Sequence, residues 1–335
     1  MLRERPESVN KLGGGNAPLR NPRILILGAT GFLGGAISSR LQESGIQHEQ
    51  SSLSLGADLR EYKQARELFE RVRPSVIFNC AAYVGGIQFG YEHPVQIFND
   101  NLLMTVYIYR AAQAFAVSRI INPISNCIYP SKATVFREDE VWDGPLNESV
   151  LVYGMTRKMH WIGAWAYHQE AGLDTINLVL PNLYGPGDHF DPIRSHALGA
   201  LIAKIVKAKL DSEPKVTIWG TGAPIREWMF IDDAVDAMMA AMHTGATTEL
   251  INVGTESGVS ILELAELIKR EVGYEGLLGV DPSRPDGALH KTLDGSRARQ
   301  LLNWKPTHAL EEGIRRTVAW YVSNQNSRDL LHKAL

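Results

Sequence analysis

The chain has 335 residues, 44% of them hydrophobic and 21% charged, with 34 basic side chains against 37 acidic ones. That apolar content supports a large buried core and argues against disorder, and a net charge of −3 leaves no general polycation for nucleic acid or an anionic membrane. Two cysteines, Cys80 and Cys127, suggest neither a disulfide framework nor a cysteine-rich metal site, so no metal is expected, and no apolar run approaches the ~20 residues that span a bilayer.

In chain order, residues 1–22 form a polar arm without the apolar stretch of a secretory signal, and the expectation is a flexible arm on a soluble, cytoplasmic protein. The segment "RILILGATGFLGGAISSRLQESG", from Arg23 to Gly45, reads as an apolar strand, a glycine turn and a helix. Gly28 suits the tight turn, Gly31 the close approach of a pyrophosphate, and Gly34 the packing of helix on strand, with the helix N-terminus facing the phosphates. Thr30, Phe32 and Leu33 between them join the candidate cofactor contacts. "GADLRE" places Asp58 and Leu59 after a second strand, and "SVIFNCAAYVGG" gives a third that ends on the small residues Ala81 and Ala82. "RIINPIS" is a fourth strand and "TINLVLPNLYG" a fifth. Strands alternating with helices predict an α/β fold, a Rossmann-type doubly wound parallel sheet with ligands at the carboxyl ends of its strands.

These stretches, with "AAYVGGI", "SNCIYP", "NLYGPGDHFDPIRSH", "WGTGAPIREWMFIDD" and "RPDGALHKTLD", make the sequence similar over residues 23–322 to the extended short-chain dehydrogenases, and within them to the GDP-L-fucose synthases. The resemblance implies an oxidoreductase that epimerises C3 and C5 of GDP-4-keto-6-deoxy-mannose and reduces its C4 ketone with NADPH. It implies Ser125 and Tyr153 as the hydroxyl pair on the C4 oxygen, and Cys127 with His196 as the pair that moves protons during epimerisation. It also implies Asn182, His196, Lys204, Trp219, Arg226 and Lys291 as substrate contacts, and a homodimer in which helices at 92–117 and 153–171 pair into a four-helix bundle. Asp286 in "RPDG" is read as shaping a turn. The expected organisation is a dinucleotide-binding domain over 23–181, rejoined by about 216–253. A smaller mixed α/β substrate lobe is expected from 182–215 and 254–335.

Three positions depart from the family pattern, the smallest departure being Lys204, where family members often have arginine. The family's lysine four residues after the tyrosine is here Arg157, and Lys158 comes one later. A helix turns ~100° per residue, so Arg157 lies ~40° around from Tyr153 and Lys158 ~140°, which gives the lysine's place to arginine. Arg157 keeps a charge that favours tyrosine ionisation, on a larger and more rigid head group, and implies hydride transfer that is weakened or re-tuned. Just past the second strand, where an acid marks NAD and an arginine NADP, stands Ser52, and no lysine or arginine occurs between Arg40 and Arg60. Glu49 reaches the ribose only if that strand ends early. NADP(H) is placed slightly ahead of NAD(H) on the resemblance. Two rival functions stay open: an epimerase or reductase on another nucleotide sugar with little net redox, and a dinucleotide-binding protein without catalysis.

Overall fold

The computed structural model describes residues 22–191, 195–245, 248–284, 286 and 289–333; the arm over residues 1–21 lies outside the described residues. The first half runs β1 (Ile24–Leu27), α1 (Phe32–Glu43), β2 (His48–Ser51), α2 (Tyr62–Val72), β3 (Val76–Asn79), α3 (Ile87–Glu92), α4 (Pro94–Ala114), β4 (Arg119–Ser125), β5 (Val135–Phe136), α5 (Leu151–Ala171) and β6 (Asp174–Leu180). It continues through β7 (Asn182–Tyr184), α6 (Ala197–Leu210), β8 (Lys215–Trp219), β9 (Ile225–Phe230), α7 (Ile231–Ala241), β10 (Leu250–Asn252), β11 (Gly258–Ser260), α8 (Ile261–Val272), β12 (Leu277–Asp281), β13 (His290–Leu293), α9 (Ser296–Leu302) and α10 (Leu310–Lys333).

Six strands form one parallel sheet in the order β10-β6-β4-β3-β1-β2. Every residue of β1, β3 and β6 is buried, the pattern of strands covered by helices on both faces. β2 lies on one side of β1 and β3 on the other, so the chain reverses direction across the sheet between β1 and β3. Ligands bind at such a switch point, beside the strands' carboxyl ends. This is the doubly wound Rossmann-type architecture expected from the alternating pattern.

A second, mixed sheet runs β11-β9-β13-β5, with β7 also paired to β9, and β8 and β12 form a separate two-stranded ribbon. The capping box of Ser260 and Glu263 starts α8, satisfying two otherwise orphaned N–H groups. The lobe draws on the chain differently from the expected boundaries. Of residues 216–253, only α7 and β10 join the large sheet's layers. β8 and β9 pair within the lobe, and β5, from inside 23–181, pairs with β13. The reason lies in hydrogen bonding: a strand as short as β5 needs a partner edge, and β13 provides one. α7 is tied back to the large sheet by the buried Arg119, which pairs with Asp174 at 2.6 Å and donates to the Met242 carbonyl at 2.8 Å.

Candidate active site

At the carboxyl end of β1 the backbone turns left-handed at Gly28 (φ +75°), where a side chain is strained, and a Cβ there would stand 2.8 Å from Ala81 N. A Cβ on Gly34 would stand 2.3 Å from the Gly28 carbonyl, so α1 can only lie this close because its first turn carries a glycine there. Gly31, the N-cap of α1, donates to Gly28 O at 3.0 Å and keeps the turn tight. Phe32 and Leu33 pack partly against the core while Thr30 is exposed. This cradle of backbone at a helix N-terminus, at the sheet's switch point, fits a dinucleotide pyrophosphate. Ala81 and the exposed Ala82 border it from the end of β3. Two further expected contacts also have structural partners. Asp58 is held by Arg60, whose Nη2 donates to it at 2.7 Å, and Leu59 is buried in the core beneath α2. Ser52 immediately follows β2 and is buried, its hydroxyl accepting from Leu55 N.

The chemistry-bearing residues meet where β4 ends and α5 begins. Ser125 is the last residue of β4, and its Oγ accepts from Cys127 N at 3.2 Å as the short turn Asn126–Ile128 opens. That bond uses a lone pair and leaves the hydroxyl hydrogen free to donate. α5 packs directly on this turn: a Cβ on Gly154 would stand 2.5 Å from the Cys127 carbonyl. Tyr153, the residue before, is half-buried beside Cys127, and Arg157 lies one turn on with its guanidinium carbon 5.7 Å from the Tyr153 ring centre. Burial pushes the phenol's pKa up, while the charge and hydrogen bond of Arg157 pull it down. Lys158 faces another way, donating to Val141 O at 2.7 Å and lying 4.3 Å above the Trp142 ring.

Beneath Arg157 lies a buried polar network that the sequence reading missed. His160, one turn further along α5, meets Asn122 Oδ1 at 2.9 Å, Thr105 Oγ1 at 3.0 Å and the Tyr109 hydroxyl at 3.0 Å. Asn122 in turn bonds Asn79 and Asn177 on the neighbouring strands. Burial, with Arg157 adding to it, lowers the His160 pKa well below its ordinary value, so the ring is neutral. Thr105 passes the network to Asn101, whose wholly buried side chain bonds both Tyr83 N and Tyr83 O and so fixes the loop after β3. The signal was present: one asparagine in each of three adjacent strands ("VIFN", "RIINPIS", "DTINLVL") is unusual for buried parallel strands, which read as continuous apolar runs.

The lobe residues are more scattered. Arg226, half-buried on β9, lies close enough to Cys127 and Asp286 to feel both, and burial lowers its pKa. Lys291 is its register partner on β13. Asp286 accepts from Thr221 N at 2.7 Å and from the Thr221 hydroxyl at 2.8 Å, holding the turn that follows β8. Trp219 is two-thirds exposed beneath the Arg284 guanidinium, 5.2 Å from its ring centre. His196 caps α6, with its pKa lowered by crowding and by His189; the preceding residues 192–194 of the motif lie outside the described residues. Two expected substrate contacts also join elements of the lobe. Asn182 donates an amide N–H to the Glu227 carbonyl at 3.1 Å, tying β7 to β9. Lys204 donates to Thr217 O at 2.5 Å, tying α6 to β8, because its stem is long enough to reach the adjacent strand.

Glu227, also unanticipated, is fully buried and receives Leu293 N at 2.6 Å, Glu256 N at 3.1 Å, and both the amide and hydroxyl of Thr255. It clamps the chain leaving β10 onto the lobe sheet, next to Arg226. Burial pushes its pKa up to about 7. An acid with a raised folded-state pKa contributes stability that is present below its unfolded pKa and lost as pH rises through the folded one. Wild type should therefore lose on the order of 3 kcal/mol relative to Glu227→Gln between pH 4.5 and 7. Urea unfolding of both proteins across that range checks this, and a pH-independent difference would contradict it.

Residues 24–254 match the NAD dependent epimerase/dehydratase family, more than half of the chain. The chain belongs to that family. A GDP-L-fucose synthase from Arabidopsis thaliana is 32% identical over 310 residues, covering 92% of this chain and 96% of the relative. The Escherichia coli GDP-L-fucose synthase is 31% identical, covering 91% and 98%. A solved GDP-L-fucose synthetase from Naegleria fowleri, bound to NADP, superposes with a TM-score of 0.82 at 26% identity, over 92% of this chain and 96% of that one. As an epimerase/dehydratase-family protein the chain is a nicotinamide-dinucleotide enzyme, and the glycine cradle beside β3 is where the family's cofactor fits.

Proposed function

We propose that this enzyme converts GDP-4-keto-6-deoxy-mannose to GDP-L-fucose, epimerising C3 and C5 and reducing the C4 ketone, with NADPH as reductant. The observation that carries the reading is the half-buried corner where Ser125, Cys127, Tyr153 and Arg157 converge, with Arg226 of the lobe near enough to Cys127 for their charges to interact. The dinucleotide, when bound, supplies hydride to C4. Ser125 and Tyr153 hold the C4 oxygen, and Tyr153 gives it a proton. Its pKa, raised by burial, keeps the phenol protonated at neutral pH, and Arg157 stabilises the phenolate left behind. Cys127 and His196 exchange protons on C3 and C5, the two carbons bonded to the C4 carbonyl, one removing a proton to leave an enolate and the other returning a proton to the opposite face. Arg226 and Lys291 face the anionic or hydroxylated parts of the substrate, and Trp219 offers a flat apolar surface.

The similarity to GDP-L-fucose synthases, and to a GDP-L-fucose synthetase structure bound to NADP, supports both the substrate and the reductant. One observation favours a second reading, epimerisation of another nucleotide sugar without net redox. Arg157 is buried and its Nε has no partner among the described residues, so the lysine's place is filled by a group that does not fit it fully. The two separate in a spectrophotometer: the leading reading predicts one NADPH oxidised per GDP-4-keto-6-deoxy-mannose consumed, and the second predicts product without oxidation.

The reading includes a cytoplasmic homodimer. Among the described residues no helix is long and apolar enough to cross a membrane. α4 and α5 pack side by side and leave Val95, Phe98 and Val106 of one, and Met155, Met159, Ile162 and Trp165 of the other, exposed at helical spacing. Two copies of this face make a four-helix interface. Sedimentation at micromolar concentration should give a dimer, and Val106→Asp a monomer; a monomeric wild type would remove this part of the reading.

A further inference from the structure

The end of β2 holds a cluster of hydroxyls in the place where the family's cofactors differ from one another. Thr30, in the glycine turn, and Ser54, in the turn after β2, are both exposed and share a hydrogen bond of 3.0 Å. Ser52 lies buried beneath and bonds Ser54 at 2.9 Å. The two turns are joined by backbone as well, Ala29 N donating to Ser51 O at 3.0 Å. A dinucleotide whose pyrophosphate occupies the Gly28–Gly34 cradle brings its adenosine ribose to the end of the second strand, where an acid reads a free 2′-hydroxyl and an arginine reads a 2′-phosphate.

Among the described residues neither charge is provided there. The arginines that flank the segment are spoken for: Arg40 pairs with Asp236, Arg60 with Asp58 and Asp100, and Arg71 with Glu49. Glu49 is exposed within β2, and the strand ends on Ser51 with Ser52 directly after it. A hydroxyl donates to a phosphate oxygen as readily as it accepts from a ribose hydroxyl, and rotates to suit either. It neither repels the phosphate dianion nor gains the Coulomb attraction of a cation.

We propose that Thr30, Ser52 and Ser54 form an uncharged adenosine-ribose site that admits both NADPH and NADH, with Ser54 as the residue that sets the balance. The inference rests on the family's dinucleotide binding and not on the proposed sugar substrate.

The test is binding of NADPH and of NADH, each without sugar, by calorimetry on the full chain. Wild type should bind the two with dissociation constants within about tenfold of each other, and that ratio should hold between 50 and 500 mM salt, since no cation is there to be screened. Ser54→Asp should weaken NADPH at least 30-fold and change NADH less than threefold, and Ser54→Arg should tighten NADPH about tenfold. A wild-type preference above 100-fold, or a ratio that collapses with salt, would overturn the proposal even if neither variant folds. Equal effects of Ser54→Asp on both cofactors would overturn Ser54 as the determinant. Failure to bind either dinucleotide would instead remove the cofactor assignment beneath it. A protein that discriminates weakly between cofactors but turns over no GDP-sugar would uphold this inference and reject the proposed substrate.

Discussion

Replacing Tyr153 with phenylalanine is expected to slow ketone reduction by about 10²–10⁴-fold while leaving proton exchange at the neighbouring carbons within about tenfold of wild type. Phenylalanine keeps the ring that lies beside Arg157 and removes only the proton donor, so a fold change is not the cause of the loss. Without that donor, the developing negative charge on the C4 oxygen is met by Ser125 alone, whose hydroxyl already accepts from Cys127 N. Stopped-flow measurement of NADPH oxidation gives the first quantity, and deuterium uptake by NMR gives the second. Arg157→Met belongs to the same experiment. It removes the charge and hydrogen bond that offset burial at the phenol, so reduction should fall while the group's apparent pKa rises. An equal loss of exchange and reduction in Tyr153→Phe would mean that the phenol serves both half-reactions.

Cys127→Ser should have the opposite signature: deuterium uptake lost by about 10²–10³-fold, with reduction of the un-epimerised ketone retained. The serine oxygen is smaller than sulfur and far less acidic, so the backbone turn from Ser125 is kept and the proton-exchanging group is not. His196→Gln should lose exchange to a similar extent, because removal and return of the proton belong to one sequence of steps. A Cys127→Ser enzyme that still fills both positions with deuterium would take Cys127 out of the chemistry and leave it as a packing residue beneath Gly154.

The large sheet was legible in the sequence because its signals are local. An apolar strand, a glycine turn and a helix start are consecutive residues, and Gly28, Gly31 and Gly34 carry steric requirements that few other arrangements impose. The Tyr153–Arg157 pairing was legible for a related reason, since both lie on one helix with fixed angles. What the sequence did not disclose depends on side chains from distant segments meeting. Glu227 looked like one more charge in "IREWMF", and its clamp exists only once β9, β13 and the chain after β10 converge. The hydrogen bonds of Lys204 and Asn182 to the carbonyls Thr217 O and Glu227 O join segments far apart in the chain, so nothing in the sequence pointed to them. The pairing of Asp58 with Arg60, two residues on, was likewise not read from the sequence. His160 could have been found three residues past Arg157, had the three strand asparagines been read as partners for a buried ring.

The most direct measurement is the mass of the sugar product formed by purified protein from GDP-4-keto-6-deoxy-mannose and NADPH in heavy water. The account predicts two carbon-bound deuterons together with the two hydrogens added at C4, one mole of NADPH being consumed for each mole of product. Deuterons without reduction would contradict Tyr153 with Arg157 as a working reductive site, and recovery of unchanged substrate would contradict the assigned sugar.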